Sequence, residues 1–120
     1  EEGNYKISGG REAMSRLLKR GGGFTAVLCA NDLTAVGAME TLKKKGYRIP
    51  EDISVAGFDD IQLAGYVEPK LTTVAQPCYE MGELSTRMLI KLIEGLALEK
   101  QEIILKPELI IRNSVRRVAK

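Results

Sequence analysis

Ile53-Ser54-Val55-Ala56-Gly57-Phe58-Asp59-Asp60 is the stretch on which the fold of this chain turns. An apolar run that stops on two adjacent carboxylates is the pattern of a buried strand ending in a polar turn. The pattern occurs twice, because Phe24 to Cys29 is a second apolar run and it stops at Ala30-Asn31-Asp32. Helix-like spacing follows each stop, so each stretch reads as strand, polar turn, helix. Two such strands lying parallel in one sheet would release both turns at one edge, where open α/β folds hold their ligands.

Working outward, Asn31 or Asp32 caps a helix that runs to about Lys45, with Ala35, Ala38, Met39 and Leu42 as its core stripe at i, i+3, i+4, i+7. Leu33 and Val36 fall on roughly the opposite side, and an extra apolar pair asks for a second surface, which a partner subunit would supply. Upstream, Tyr5 to Ile7 reads as the end of a short strand. Ser8-Gly9-Gly10 then turns into a helix carrying Ala13, Met14, Leu17 and Leu18, which Lys19-Arg20-Gly21 stops. Downstream, Asp59 to Tyr66 is a short helix or turn and Glu68-Pro69-Lys70 a break. The order β-α-β-α-β-α predicts a parallel sheet with right-handed crossovers.

After Pro69 the character changes. Leu71 to Gln76 is a further strand or extended crossing, interrupted by Pro77. A long amphipathic helix follows from about Tyr79 to Glu94, its stripe formed by Met81, Leu84, Met88 and Leu92 and widened by Leu89 and Ile93. Ile103 to Leu105 and Leu109 to Arg112 read as strands separated by Pro107. The basic tail, Arg116 to Lys120, reads as a solvated, frayed end.

Composition narrows the chemistry. At 120 residues the chain is one small domain or a piece of a larger one. A net charge of +2 argues for neither nucleic acid nor membrane, and the absence of histidine removes the commonest general base and metal ligand at neutral pH. No metal or cofactor is expected. The two cysteines, Cys29 and Cys78, have no metal spacing and no evident pairing, which fits a reduced, cytoplasmic setting. No apolar run is long enough for a membrane span. The chain opens on Glu1 without methionine, as a fragment would.

At the polar turns, Asn and Asp are preferred helix caps, but one cap needs one side chain. That leaves Asn31 as a candidate ligand contact. Two adjacent carboxylates gain nothing as duplicate caps, so Asp59 is the ligand candidate and Asp60 the cap. Carboxylate and amide groups converging on one crevice suit the hydroxyls of a sugar or nucleoside-like molecule.

The series Phe24 to Asp32, Ala35-Val36-Gly37-Ala38, Gly46 to Asp60, Pro69 to Val74 and Gly82 closely resembles the effector-binding core of the lactose/galactose repressor family of transcriptional regulators. The match covers nearly the whole chain. The resemblance implies an α/β fold of three layers, α/β/α with a parallel sheet: a truncated periplasmic-binding-protein-like (type I) subdomain. It implies residues 1–70 in a C-terminal subdomain, 71–95 as a crossing strand and helix of the N-terminal subdomain, and 96–120 as return strands and tail.

By the same resemblance Asn31 and Asp59 match effector contacts, and Gln76 matches a position at the crossing between subdomains. Cys78 falls where relatives often carry an aromatic or other effector-facing side chain. Leu33, Val36, Leu63 and Tyr66 are assigned to a homodimer face. Operator DNA would be bound only through a helix-turn-helix that these 120 residues do not contain. The helix 79–94, parted from its subdomain, is expected to pack on a second copy or to fold onto the core.

The reading is of a binding module without catalysis. A periplasmic sugar-binding transport protein shares the fold, but the wording Ser54 to Asp60 and the dimer stripe favour the regulator. A phosphoryl-accepting receiver could use carboxylates at neighbouring strand ends to hold Mg²⁺. In receivers, however, the acidic pair comes first, whereas here Asp32 precedes Asp59-Asp60. Hydrolytic chemistry lacks a histidine and a nucleophile elbow.

Overall fold

The computed structural model describes residues 1–118, so Ala119 and Lys120 of the basic tail lie outside the described residues. The chain forms two compact units: Glu1–Ala75 with the stretch from Leu109 onward, and Gln76–Glu108.

The first unit opens with helix α1 (Ile7–Arg20) where the sequence suggested a strand and a turn. Tyr5 at φ 60° breaks the extended run, and Gly9 and Gly10, read as turn residues, lie buried inside the helix. Contacts outside the helix hold them there: a Cβ on Gly9 would strike Asn4, and α1 packs on helix α2 (Asp32–Lys44) so closely that a Cβ on Gly10 would stand 2.2 Å from the Thr34 carbonyl oxygen. Gly21 at φ 71° ends α1 as expected. Helix α2 is capped by Asn31, whose side-chain oxygen accepts from the Thr34 amide at 2.9 Å, and Lys43 and Lys44 complement its C-terminal dipole. Ala35, Ala38, Met39 and Leu42 are all buried, as the spacing predicts. So is Val36, at 6% exposure, which corrects its reading as an outward-facing residue: the chain itself covers most of it.

Strand β1 (Ala26–Leu28) pairs in parallel with β2 (Ser54–Ala56), Val27 opposite Val55. Parallel bridges from Ala56 to Thr72 and from Asp59 to Ala75 extend the same direction to β3 (Thr73–Ala75), which pairs with β4 (Glu108–Ile110). A one-turn 3₁₀ helix, Gln62–Gly65, follows β2. Ile103 to Leu105, read as strand, is not one.

The segment after β4 is tied into the sheet. Ser114, fully buried, donates to the Val55 carbonyl at 2.6 Å and accepts from the Thr72 amide at 2.8 Å, bridging two strands. Arg116 donates to the carbonyls of Pro50 and Glu51 and, through its amide, to Ser54 Oγ, which corrects the reading of the tail as frayed from that residue. Two buried backbone groups depend on one hydroxyl, and each costs roughly 1–3 kcal/mol when left unpaired. Ser114→Ala is therefore expected to lower unfolding free energy by about 2 kcal/mol or more, read as a lower urea midpoint at unchanged slope.

The second unit is dominated by α3 (Cys78–Ile93). The stripe predicted for it is present, yet no residue of α3 is buried: Leu89, Leu92 and Ile93 are exposed. Periodicity alone correctly located this helix. No helix among the described residues is long and apolar enough to cross a membrane.

Candidate functional site

Because β1, β2 and β3 run in parallel, the turns that leave them emerge on one rim of the sheet. Asn31 follows β1 and Asp59 follows β2, and the two turns are bonded directly: the Asp32 amide donates to the Phe58 carbonyl at 2.9 Å. The expected juxtaposition of Asn31 and Asp59 on a common rim is therefore present in the first unit. Gln76 and Cys78 belong to the second unit, where Cys78 is exposed at the start of α3.

The roles of individual side chains differ from the simplest reading of the motif. Asn31 does the capping, and its amide nitrogen also donates to the Tyr5 carbonyl at 3.0 Å, tying the segment before α1 to the rim. Asp32 is the buried residue of the pair. Its carboxylate accepts from Thr73 Oγ1 at 2.6 Å and from the Ile61 amide at 2.9 Å, and it has no solvent exposure.

Burial pushes the Asp32 carboxyl above the usual aspartate range, and the charges of Asp59 and Asp60 push the same way against the two hydrogen bonds. A carboxyl whose folded value lies above its unfolded one weighs on stability at neutral pH. That burden fades as pH falls toward the unfolded value. Cys29, buried beside it, is pushed up to about 11 by desolvation and then by the Asp32 charge, which keeps its thiol protonated and inert.

Asp60 does not cap the 3₁₀ helix, which has no side-chain cap; it pairs with Arg112 at 2.6 Å. That ion pair is half-buried, and the same guanidinium donates to the Leu71 carbonyl while the Arg112 amide donates to Thr72 Oγ1. Arg112 was missed from sequence because it lies 52 residues from Asp60. Asp59 and Asp60 both have positive φ, 109° and 55°. Each such non-glycine conformation costs on the order of 1–3 kcal/mol and persists only where the surroundings over-determine it, often at a functional site.

A cavity of about 410 Å³ is lined by residues including Tyr5, Met14, Leu17, Leu28, Cys29 and Ala30; it reaches the residue before Asn31, but neither Asn31 nor Asp59 lines it. Leu63 and Tyr66, assigned to a dimer face, are exposed, Tyr66 at 76%, and Leu33 is half-buried. Among the described residues no group of three or more acidic, cysteine or histidine side chains could hold a metal ion.

Residues 2–115 match the family described as periplasmic binding protein-like domain. The chain is 39% identical over 118 residues to the HTH-type transcriptional repressor PurR of Mannheimia succiniciproducens, covering 98% of this chain and 35% of that protein. Among solved structures it is similar to a transcriptional regulator CelR–cellobiose complex, with TM-score 0.89 and 37% identity over 93% of this chain and 34% of that one. It is also similar to a LacI family transcriptional regulator from Arthrobacter sp. FB24 in complex with lactose, with TM-score 0.83 and 31% identity over 95% of this chain and 44% of that one. The chain thus spans about a third of the length of the curated relatives it matches. Parallel strands with polar turns on one rim, the ordered motifs and these likenesses agree: the chain belongs to the periplasmic binding protein-like domain family, in the form carried by transcriptional regulators of the lactose/galactose repressor (LacI) type.

Proposed function

We propose that this chain is the effector-sensing and dimerisation portion of a longer LacI-type regulator, taking a small sugar or nucleoside-like ligand and catalysing nothing. The observation that carries the reading is the common rim, where Asn31 and the strained Asp59-Asp60 turn leave adjacent parallel strands. Carboxylate and amide groups there can accept from and donate to vicinal hydroxyls. In the longer protein, residues 71–95 would cross to a second subdomain, contributing Gln76 and Cys78 to the ligand cleft, and 96–120 would return. Ligand would favour one arrangement of the two subdomains and so change DNA affinity.

Exposed Leu63 and Tyr66, with Leu33, are consistent with a homodimer face to which buried Val36 adds little. Operator contact would come from a helix-turn-helix outside these residues, in the cytoplasm. Asp32, the acid that a receiver would need for Mg²⁺, is instead bonded to Thr73 and the Ile61 amide. The test is a titration of the full-length protein onto the DNA upstream of its own gene, followed by fluorescence anisotropy, with lactose, cellobiose or adenosine added. One of them is expected to shift the midpoint at least about fivefold, the lower end of ordinary allosteric coupling. No shift from any of the three would contradict the ligand class.

A further inference from the structure

We infer that Asp32 is a positioning residue: its buried carboxylate holds the Asp59-Asp60 turn in its left-handed form and thereby sets where the Asp59 carboxylate stands on the rim. The consequence for binding rests on reading Asp59 as an effector contact; the geometry itself does not.

Three successive amides of the turn are each taken by a different group. The Asp59 amide donates to the Val74 carbonyl at 2.9 Å, the Asp60 amide reaches Thr73 Oγ1 at 3.4 Å, and the Ile61 amide donates to Asp32 Oδ2 at 2.9 Å. The Thr73 hydroxyl donates its own proton to Asp32 Oδ1 at 2.6 Å, so Asp32 acts on Asp60 as well as on Ile61. The middle bond is long, and a carboxylate drawing on the hydroxyl proton leaves the Thr73 oxygen a better acceptor for it.

Room for the carboxylate comes from Gly57, where a Cβ would stand 2.2 Å from Asp32 Oδ1. From the other flank Arg112 grips Asp60 Oδ1 at 2.6 Å. The turn is thus held between a buried carboxyl group that accepts from Ile61 and Thr73 and the Arg112 cation, which fits two consecutive non-glycine residues at positive φ. Asp32 sits in the first turn of α2, directly after Asn31, so one residue fixes the spacing between both candidate contacts.

The test is nuclear magnetic resonance on the 120-residue chain, reading the Cα shifts and HN–Hα couplings that report positive φ at Asp59 and Asp60. Asp32→Ala is expected to abolish that signature while the amides of α1 and β1 keep their shifts. Asp32→Asn, which retains an acceptor for Ile61, should preserve it. If Asp32→Ala fails to fold, Thr73→Val serves in its place and should lose the signature, while Thr73→Ser keeps it. A folded Asp32→Ala or Thr73→Val chain with the turn unchanged would overturn the inference. An Asp59→Ala protein that still binds lactose, cellobiose or adenosine as the parent does would remove the site reading and leave the resonance result to decide the latch.

Discussion

Gly37→Ala is expected to destabilise the chain by about 3 kcal/mol or more, at the upper end for overpacking a close-packed contact. Alanine in a helix normally stabilises relative to glycine, by about 0.5–1 kcal/mol, so the direction is the test. A Cβ on Gly37 would lie 2.1 Å from the Ile7 carbonyl oxygen and 2.9 Å from the Arg11 amide nitrogen. Both are backbone atoms of α1, and no rotamer change moves them aside. Gly10 makes the reciprocal contact with the Thr34 carbonyl oxygen, so the crossing has glycine on both sides and the helices would have to part. That would also strain the Arg11–Glu40 ion pair and the hydrogen bond from Thr41 Oγ1 to the Arg11 carbonyl. Gly82, in α3 with nothing within 4 Å of its Cβ position, supplies the control: Gly82→Ala should leave the melting temperature unchanged or raise it. A Gly37→Ala chain melting with the parent would show that the helices can part at this crossing at little cost.

The same glycines mark where sequence reasoning stops. Ser8-Gly9-Gly10 looks like a turn because glycine disfavours helix locally, yet helix contacts override that preference when only a hydrogen atom fits. What was legible is what depends on neighbours in sequence. The core stripe of α2 follows from spacing, its cap from Asn31, the end of α1 from Gly21, and the two strand-turn-helix passages from apolar runs that stop on carboxylates. The β-α-β order carried the parallel direction of the strands and the common edge of the turns bearing Asn31 and Asp59, and the family resemblance added their reading as effector contacts. Groups joined across the chain were not legible: Asp60 with Arg112, Ser114 between Val55 and Thr72, and Arg116 on Pro50 and Glu51. Nothing local marks those residues as partners. Which of Asn31 and Asp32 caps α2 was open for a similar reason. Either can cap, and the nearness of Thr73 and the Ile61 amide decides which is drawn inward.

Asp59→Ala carries the other large effect. If Asp59 accepts hydrogen bonds from two hydroxyls of a bound sugar or nucleoside, its removal forfeits charge-assisted bonds of about 1.5–3 kcal/mol each, roughly a hundredfold or more in affinity. The fold should survive, because the bond that carries Asp59 in the sheet is made by its backbone amide to the Val74 carbonyl. Alanine at φ 109° is itself strained, so Asp59→Asn accompanies it: asparagine tolerates positive φ and removes only the charge. The decisive measurement is calorimetric titration of the full-length protein, parent and both variants, with whichever of lactose, cellobiose or adenosine acts on the parent. Binding is expected in the parent, loss of heat with Asp59→Ala, weakened binding with Asp59→Asn, and melting temperatures within a few degrees of one another. Unchanged affinity in a folded Asp59→Ala protein would contradict the role of Asp59 as an effector contact.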